Sequence, residues 1–418
     1  MSTETKKRTS VLQKIAFIAV VCAVAALPLL FSGCANEAEK DGGQSVEVQA
    51  PVEEEKPIEL NILCVGDIMV HRSQIASHYN EEIGAYDYSN NFKHIKKYVE
   101  AADLALCNLE TTFAGQPYTG YPTFSAPDEL ADALKDTGFD VAITCNNHMM
   151  DKGGNGLRRT LEVLTNKGFL TVGSRLEVEA PRYVMTEVNG VNVAVVAYTY
   201  ETATGGNGTA LNGVSISAEN AALINSFSYE TLDADLAKVK ADCDSAREAG
   251  ADIVILYYHW GEEYHLTANK WQRQIAQYSV DNMDIDMIFG SHPHVLQEME
   301  YIQKTDSEKK VPVFYSMGNL ISNQRRETLG DTMNSKHTET GIMANVTLSY
   351  MKSEGKILDI SMSAIPTWVD KYGSSSKPIY EIIPLDESLT TNETLQVSGH
   401  LSRAQQALED SHGVLKAN

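Results

Sequence analysis

Cations are scarce in this chain. It carries 34 Lys and Arg against 56 Asp and Glu, a formal net charge of −22 at pH 7 with a pI near 4.9. That excess excludes nucleic-acid binding through bulk electrostatics, because a phosphate backbone is repelled at long range. An anionic substrate would need a local cation supplied by its own site. Cysteine is equally sparse, six in 418 residues, with neither the spacing of a zinc ribbon nor the density of a disulfide scaffold. Cys64, Cys107, Cys145 and Cys243 read as buried small hydrophobes. A disulfide between two neighbouring strands is the alternative if the chain lies outside the cytoplasm. No repeat with a period of roughly 20–50 residues is present. What remains is ordinary: 43% hydrophobic and 22% charged, with length for one large domain or two average ones.

The N-terminus is of a different kind. Lys6, Lys7, Arg8 and Lys14 precede an unbroken apolar or small-residue run over 15–31, followed by Ser32-Gly33-Cys34. A basic start, an apolar core and small residues mark an export signal. The Cys after Ser-Gly resembles the lipobox of bacterial lipoproteins, which implies cleavage before Cys34 and lipidation of that residue. An uncleaved single-span anchor is the other reading. Either places the rest of the chain outside the cytoplasmic membrane and tethered to it. Residues 35–58 are rich in Glu, Gly, Gln, Ser and Pro and read as a charge-extended acidic linker. The expected organisation is therefore a signal segment over 1–34, a linker over 35–58, a domain over 59–370, and a C-terminal extension over 371–418 with a peripheral helix near 401–415.

Within the domain, short apolar runs alternate with helical periodicity. Strands are expected over 59–65, 103–107, 139–145, 169–173, 252–258, 286–290 and 311–315. Asn189-Gly190 joins two strands as a hairpin, and a second hairpin spans 342–365. Helices are expected over 89–100, 125–137, 154–167, 233–249 and 270–282. A Gly/Pro/Tyr-rich loop over 115–127 is too long for a simple connector and offers Tyr118, Tyr121 and Phe124 as a substrate wall.

Six of the apolar runs end in a polar motif: Asp67, Asn108 with Glu110, Asn147 with His148, His259, His292 with His294, and Ser316 with Asn319. In open α/β sheets, ligands bind beyond the carboxyl ends of the strands. Each end alone also has an ordinary reading, Asp67 as a turn or helix cap and His148 as a satisfied loop histidine. Taken together they form a mixed O/N set suited to Zn, Mn or Fe rather than to a thiolate site. His292 and His294, two apart after a strand, would point the same way if the chain there stayed extended.

Six ordered motifs carry a family resemblance: Gly66-Asp67-Ile68-Met69, Asn108-Leu109-Glu110, Asn146-Asn147-His148-Met149-Met150-Asp151, His259-Trp260-Gly261-Glu262-Glu263-Tyr264, Gly290-Ser291-His292-Pro293-His294 and Tyr315-Ser316-Met317-Gly318-Asn319. The pattern resembles the calcineurin-like metallophosphoesterases, and more closely their CapA branch of poly-γ-glutamate capsule proteins. The resemblance implies a four-layer α/β/β/α sandwich. It implies one or two divalent ions, with Asp67 and His294 at the first, Asn147, His259 and His292 at the second, and Glu110 between them. His148 would be the catalytic, non-ligand histidine, and Asn108, Asp151, Glu262, Ser316 and Asn319 would face substrate. Two positions depart from the wider superfamily. Met69 stands where a further His is usual, with His71 two residues beyond, and Glu110 replaces an Asp. These departures imply one tightly held ion or two held unequally.

Three functions fit this reading. The first is a tethered protein acting on or helping to assemble an anionic surface polymer such as poly-γ-glutamate, in contact with its synthesis machinery. The second is a metal-dependent hydrolase of phosphoesters or γ-glutamyl amides. The third is a binding or scaffold module on the same fold.

Overall fold

Burial on both faces of the first strand sets the architecture. The computed structural model describes residues 55–205 and 208–416, so the signal segment, Cys34 and most of the linker lie outside the described residues. In β1 (Ile58–Ile68), Leu60, Ile62 and Cys64 enter one apolar cluster, and Leu63 and Val65 enter another on the opposite face. A strand with both faces apolar has to be covered on both.

Fourteen further strands complete two sheets. They are β2 (Leu104–Leu109), β3 (Val141–Ile143), β4 (Leu170–Val172), β5 (Tyr183–Val188), β6 (Val191–Tyr200), β7 (Ser226–Phe227), β8 (Ile253–His259), β9 (Met287–Ser291), β10 (Met299–Gln303), β11 (Lys310–Phe314), β12 (Asn319–Ile321), β13 (Thr340–Met351), β14 (Lys356–Gly373) and β15 (Pro378–Pro384). The larger sheet runs β15-β14-β13-β1-β2-β3-β4, with β12 beside β1; the smaller runs β7-β6-β8-β9-β11-β10, with β5 beside β6. β1 to β4 are mutually parallel, as are β6, β8, β9 and β11.

The two sheets face one another. Leu60, Ile62 and Leu106 of the larger sheet share a cluster with Val193, Val195, Ile255 and Phe289 of the smaller one. The six main helices are α1 (Arg72–His78), α2 (Glu129–Thr137), α3 (Gly153–Asn166), α4 (Leu232–Glu248), α5 (Lys270–Asn282) and α6 (Leu401–Leu415). Leu130 and Leu134 of α2 pack on the outer face of the larger sheet with Ala105 and Cys107. Leu236 and Val239 of α4 and Ile275 of α5 cover Ala194 and Val196 on the outer face of the smaller one. The result is the four-layer α/β/β/α sandwich expected from the resemblance. Among the described residues no helix is long and apolar enough to cross a membrane.

The sequence expectation differs from the structure in two places. The helix expected over 89–100 is two short turns, Ser89–Phe92 and Lys96–Val99, although Phe92, Ile95 and Val99 bury as the periodicity required. The domain does not stop at 370. β14 pairs with β15 from Thr367↔Pro384 to Gly373↔Pro378, and α6 seats Ala404 and Ala407 in a cluster with Trp368 and Ile383. Short segments buried on both faces lack the alternation that marks a strand, which is why this part read as an extension. The four described cysteines are free and buried. Cys64 and Cys107 lie on neighbouring strands but face opposite clusters, so no disulfide joins them.

Candidate metal centre

Strand register assembles the first half of the site. Asp67 pairs with Asn108 of β2 on one side and Asn319 of β12 on the other. The backbone crosses closely here: a Cβ on Gly66 would lie 2.0 Å from the Gly318 carbonyl oxygen, and Gly318 itself has φ +64°. Only glycine meets both demands. Asn108 Nδ2 donates to Asp67 Oδ1 at 2.7 Å, and Asp67 Oδ2 lies 3.0 Å from His294 Nδ1. His294 Nδ1 is also 3.1 Å from Asn319 Oδ1. Glu110 Oε1 reaches to 3.5 Å from His259 Nε2 and 3.8 Å from His294 Nε2. His259 Nε2 lies 2.9 Å from Asn147 Oδ1.

His292 and His294 converge for a reason other than strand alternation. β9 ends at Ser291, and the two histidines have φ of +105° and +57°. The left-handed region is strained for a side chain with a Cβ, at about 1–3 kcal/mol per residue. The two imidazoles lie with ring centroids 5.8 Å apart, each offering a nitrogen near Glu110. Tyr200 packs on His292 at 4.7 Å and Tyr264 lies 6.3 Å from His294.

The donor atoms are those of a cation site. Ligand atoms of Glu110, His292 and His294 lie within 4.8 Å of one another, as do those of Asp67, Glu110 and His259. All five residues are buried. Among the described residues, no N–H or hydroxyl donates to either oxygen of Glu110, and His259 Nδ1 and His292 Nδ1 have no hydrogen-bond partner. Buried polar atoms are nearly always satisfied, so four orphans on residues of these two triads fit a bound cation. Electrostatics agree. Burial, reinforced by the Asp67 charge, pushes the Glu110 carboxyl well above its ordinary range. Burial works the same way on Asp67, but the hydrogen bond and charge of His294 outweigh it and hold Asp67 low. Burial drops His259 to about 3 and also depresses His292, leaving both as neutral imidazoles able to ligate.

His148 stands at the edge of this cluster, on the turn after β3. Asn146 shapes that turn, donating from Nδ2 to the Leu109 carbonyl at 2.8 Å and accepting His148 N–H at 3.1 Å. His148 Nδ1 lies 2.8 Å from Asp151 Oδ2, which also accepts Phe124 N–H at 2.6 Å. The Phe124 ring meets His148 edge-on at 4.7 Å.

Comparison with known proteins places this geometry. A family model described as bacterial capsule synthesis protein PGA_cap matches residues 61–324. The chain belongs to this family. The matched stretch contains all six strand-end motifs, so the resemblance carried by those motifs is borne out. The capsule biosynthesis protein CapA of Bacillus anthracis is 30% identical over 288 residues, covering 67% of this chain and 64% of that one. The PGA biosynthesis protein CapA of Bacillus subtilis is 28% identical over 276 residues, covering 63% and 64%. The aligned stretch thus spans just under two thirds of each relative. Two solved structures also match: a phosphatase of Mycoplasma pneumoniae at 13% identity and TM-score 0.41, over 74% of this chain and 94% of that one, and the calcineurin-like phosphoesterase YfkN of Bacillus subtilis at 14% and 0.42, over 85% and 99%.

In this PGA_cap member, Asp67, Glu110, Asn147, His259, His292 and His294 come together. By distance, Glu110 belongs to both triads, while Asp67 groups with His259, and His292 with His294. The contacts also keep the division the resemblance implies within reach, with Asp67 3.0 Å from His294, and His259 2.9 Å from Asn147 and 4.9 Å ring to ring from His292. Four of the five residues expected to face substrate are held by the protein itself. Asn108 and Asn319 are spent on Asp67 and His294. Ser316 donates to the Val295 carbonyl, and Asp151 is spent on His148 and Phe124. Glu262 is exposed and reaches only His265, at 3.6 Å. Its neighbour Glu263 is the residue whose charge acts on Glu110 and His294. Of the expected aromatic wall, Phe124 is buried against His148, whereas Tyr121 is 72% exposed and Tyr118 packs on Tyr86.

The sequence reading missed Tyr200 and gave Tyr264, part of the His259 motif, no role of its own. His71 does not replace the superfamily His at Met69: its Nδ1 accepts Asn323 N–H at 3.2 Å, and its ring lies edge-on to Phe124 at 5.2 Å. Its spacing from Asp67 was the signal that it lay near the site.

Proposed function

We propose that this protein is an extracytoplasmic member of the capsule-synthesis family, tethered through Cys34, that uses one or two divalent ions (Mn, Zn or Fe) to act on an anionic surface polymer such as poly-γ-glutamate. The observation that carries the reading is the convergence of Glu110, His259, His292, His294 and Asp67 with four buried polar atoms left unpaired. The residues fit such ions: two carboxylates and three imidazoles match metals that accept mixed O/N sets. When bound, the ions supply charge stabilisation and an activated water. The net charge of −22 makes that local positive charge the means of drawing in a polyanion.

The rest of the chemistry falls to the chain. Asn108 and Asn319 fix Asp67 and His294 by hydrogen bonds, the supporting shell that orients ligands. Asp151 holds His148 Nδ1, so Nε2 is the atom left to face substrate and the place where a proton is given or taken. Tyr200 and Tyr264 cover the two loop histidines and limit access of bulk water. Cleavage of a γ-glutamyl amide or a phosphoester both suit this arrangement.

Metal analysis of the purified full chain, with a screen of γ-glutamyl oligomers and phosphoesters, tests the reading. The expected result is bound Mn, Zn or Fe, with turnover that His148→Ala abolishes while metal content stays the same. A chain that carries no such metal and takes up none on titration refutes it. Tethering is checked separately: Cys34→Ala should release the protein from the membrane fraction.

A further inference from the structure

We propose that Lys371 and Asn323 form a carboxylate-binding subsite beside the metal centre, positioned to hold a side carboxylate of a polyanionic chain whose backbone lies at the ions. The proposal rests on the polymer reading above and adds the residues that would recognise it.

The row is built from three elements. Lys371 lies on β14, Asn323 follows β12, and His71 precedes α1. Asn323 Oδ1 accepts from Lys371 Nζ at 3.1 Å and from the Tyr380 hydroxyl at 2.8 Å. Tyr380 in turn contacts Ser73 Oγ at 3.0 Å, and the Lys371 ammonium lies 5.4 Å from the centre of the Tyr380 ring. The carboxamide is therefore fixed with its oxygen toward Lys371 and Tyr380. Among the described residues its Nδ2 group has no acceptor, and Lys371, which feels the charges of Arg325 and Glu327, has no carboxylate within ion-pair distance. Neither residue is fully buried. An ammonium with donors to spare and a free amide NH₂, joined through one oxygen, present several N–H groups to the same region of solvent. That set matches a carboxylate.

Two connections place the pair at the edge of the metal centre. Asn323 N–H donates to His71 Nδ1, and the His71 ring packs on Phe124, which packs on His148. On the other side, the adjacent Gln324 accepts from Asn319 Nδ2 at 3.1 Å and donates to the Tyr264 hydroxyl at 3.4 Å. Asn319 is the residue that contacts His294. The subsite thus adjoins both the His148 side and the His294 side. An unpaired ammonium there is notable in a chain where acids outnumber bases 56 to 34. Lys371 also lies beyond the stretch 61–324 that matches the family model, so this part of the chain would set the ligand preference of this protein.

The test is calorimetric titration of the full chain, metal-loaded, with a γ-glutamyl hexamer, its amidated neutral analogue, and inorganic phosphate. Lys371→Gln should weaken hexamer binding about fivefold to tenfold and reduce its salt dependence. Metal content and binding of the neutral analogue should not change. Lys371→Arg, which keeps the charge, should stay within about twofold of the parent. Unchanged hexamer affinity in Lys371→Gln overturns the subsite, and so does an equal loss with the neutral analogue. Phosphate binding that depends on Lys371, without hexamer binding, overturns the carboxylate assignment. Hexamer binding that depends on Lys371 but brings no turnover supports the subsite and counts against the hydrolytic reading alone.

Discussion

Replacing Glu110 by Gln should make the metal-free protein more stable and the metal-loaded protein less so. Glu110 is fully buried, neither oxygen receives a hydrogen bond from a donor, and the Asp67 carboxylate is beside it. A buried polar group without a partner costs about 1–3 kcal/mol, and a charged one more. Above the pH at which the folded chain releases this proton, the isosteric amide removes a buried charge and adds a donor, so relief of about 1–3 kcal/mol is expected there once ions have been removed by chelation. In a domain of this size that raises the thermal midpoint by a few degrees at most. With ions present the order reverses. Loss of a charged oxygen shared by both ligand groups should cost at least about 100-fold in affinity, roughly 2.7 kcal/mol. A ligand at about 100 times its dissociation constant stabilises the parent by a similar amount. The pH dependence has a definite sign. Burial and Asp67 raise the folded-state value of Glu110 well above the 4.5 of a free glutamate. Between those two values the folded chain keeps a proton that the unfolded chain has released. Its contribution to stability is therefore complete below the unfolded value and is lost as pH rises through the folded one. The advantage of Glu110→Gln should widen in chelator as pH rises above the free-glutamate value of 4.5 and through the raised folded one. Thermal melts of both proteins across that range, with and without added Mn or Zn, make the check. Equal stability in chelator, or equal metal affinity, refutes the assignment of Glu110 as a charged ligand under strain.

Three other perturbations follow from buried pairs. Glu339 is completely buried and accepts two hydrogen bonds from Arg403 of α6, at 2.9 and 2.8 Å, besides those from Arg326 and Trp368. Arg403→Ala should lose about 2–4 kcal/mol, read as a lower denaturation midpoint, and an unchanged midpoint would show that α6 is energetically peripheral. For Glu381, burial raises the carboxyl, but hydrogen bonds from His94, Thr394 and Lys93 outweigh it and bring the value to about 2. The stability this lends is present above the unfolded value of 4.5 and is lost as pH falls toward 2, so Glu381→Gln should flatten acid unfolding across that window. Asp151→Asn should lower turnover by about 100-fold or more, because the amide no longer fixes the His148 tautomer, while metal content stays constant; a matching loss of metal would instead mark Asp151 as structural support for the centre.

What could be read from the sequence divides along a physical line. The strands that end at the site were legible because each is a local apolar run with a polar stop. α5 was legible to the residue, since Asn269 caps it and Gln272 closes the capping box. The ligands were legible as residue types in an order. What was not legible depends on pairs distant in sequence or on backbone that no side-chain pattern announces. β12 is three residues long and exists because Asn319 pairs with Asp67. β15 is a strand because β14 runs past its hairpin and offers it an edge. Glu262 and Glu263 are chemically identical, and the backbone around them, with positive φ at Gly261 and Tyr264, is not announced by their side chains.

The same line separates the two histidines that close the site. Spacing of two was enough to suggest that His292 and His294 converge, but the mechanism it suggested, alternation along a strand, is not the one used. Both residues adopt positive φ after the strand has ended. A conformation that costs a non-glycine residue about 1–3 kcal/mol persists only where the surroundings determine it. Here Tyr200 and Tyr264 pack on the rings, and Asp67 and Asn319 take His294 Nδ1. Those contacts are made by the chain's own side chains, so the shape of the loop is written into its packing and its hydrogen bonds.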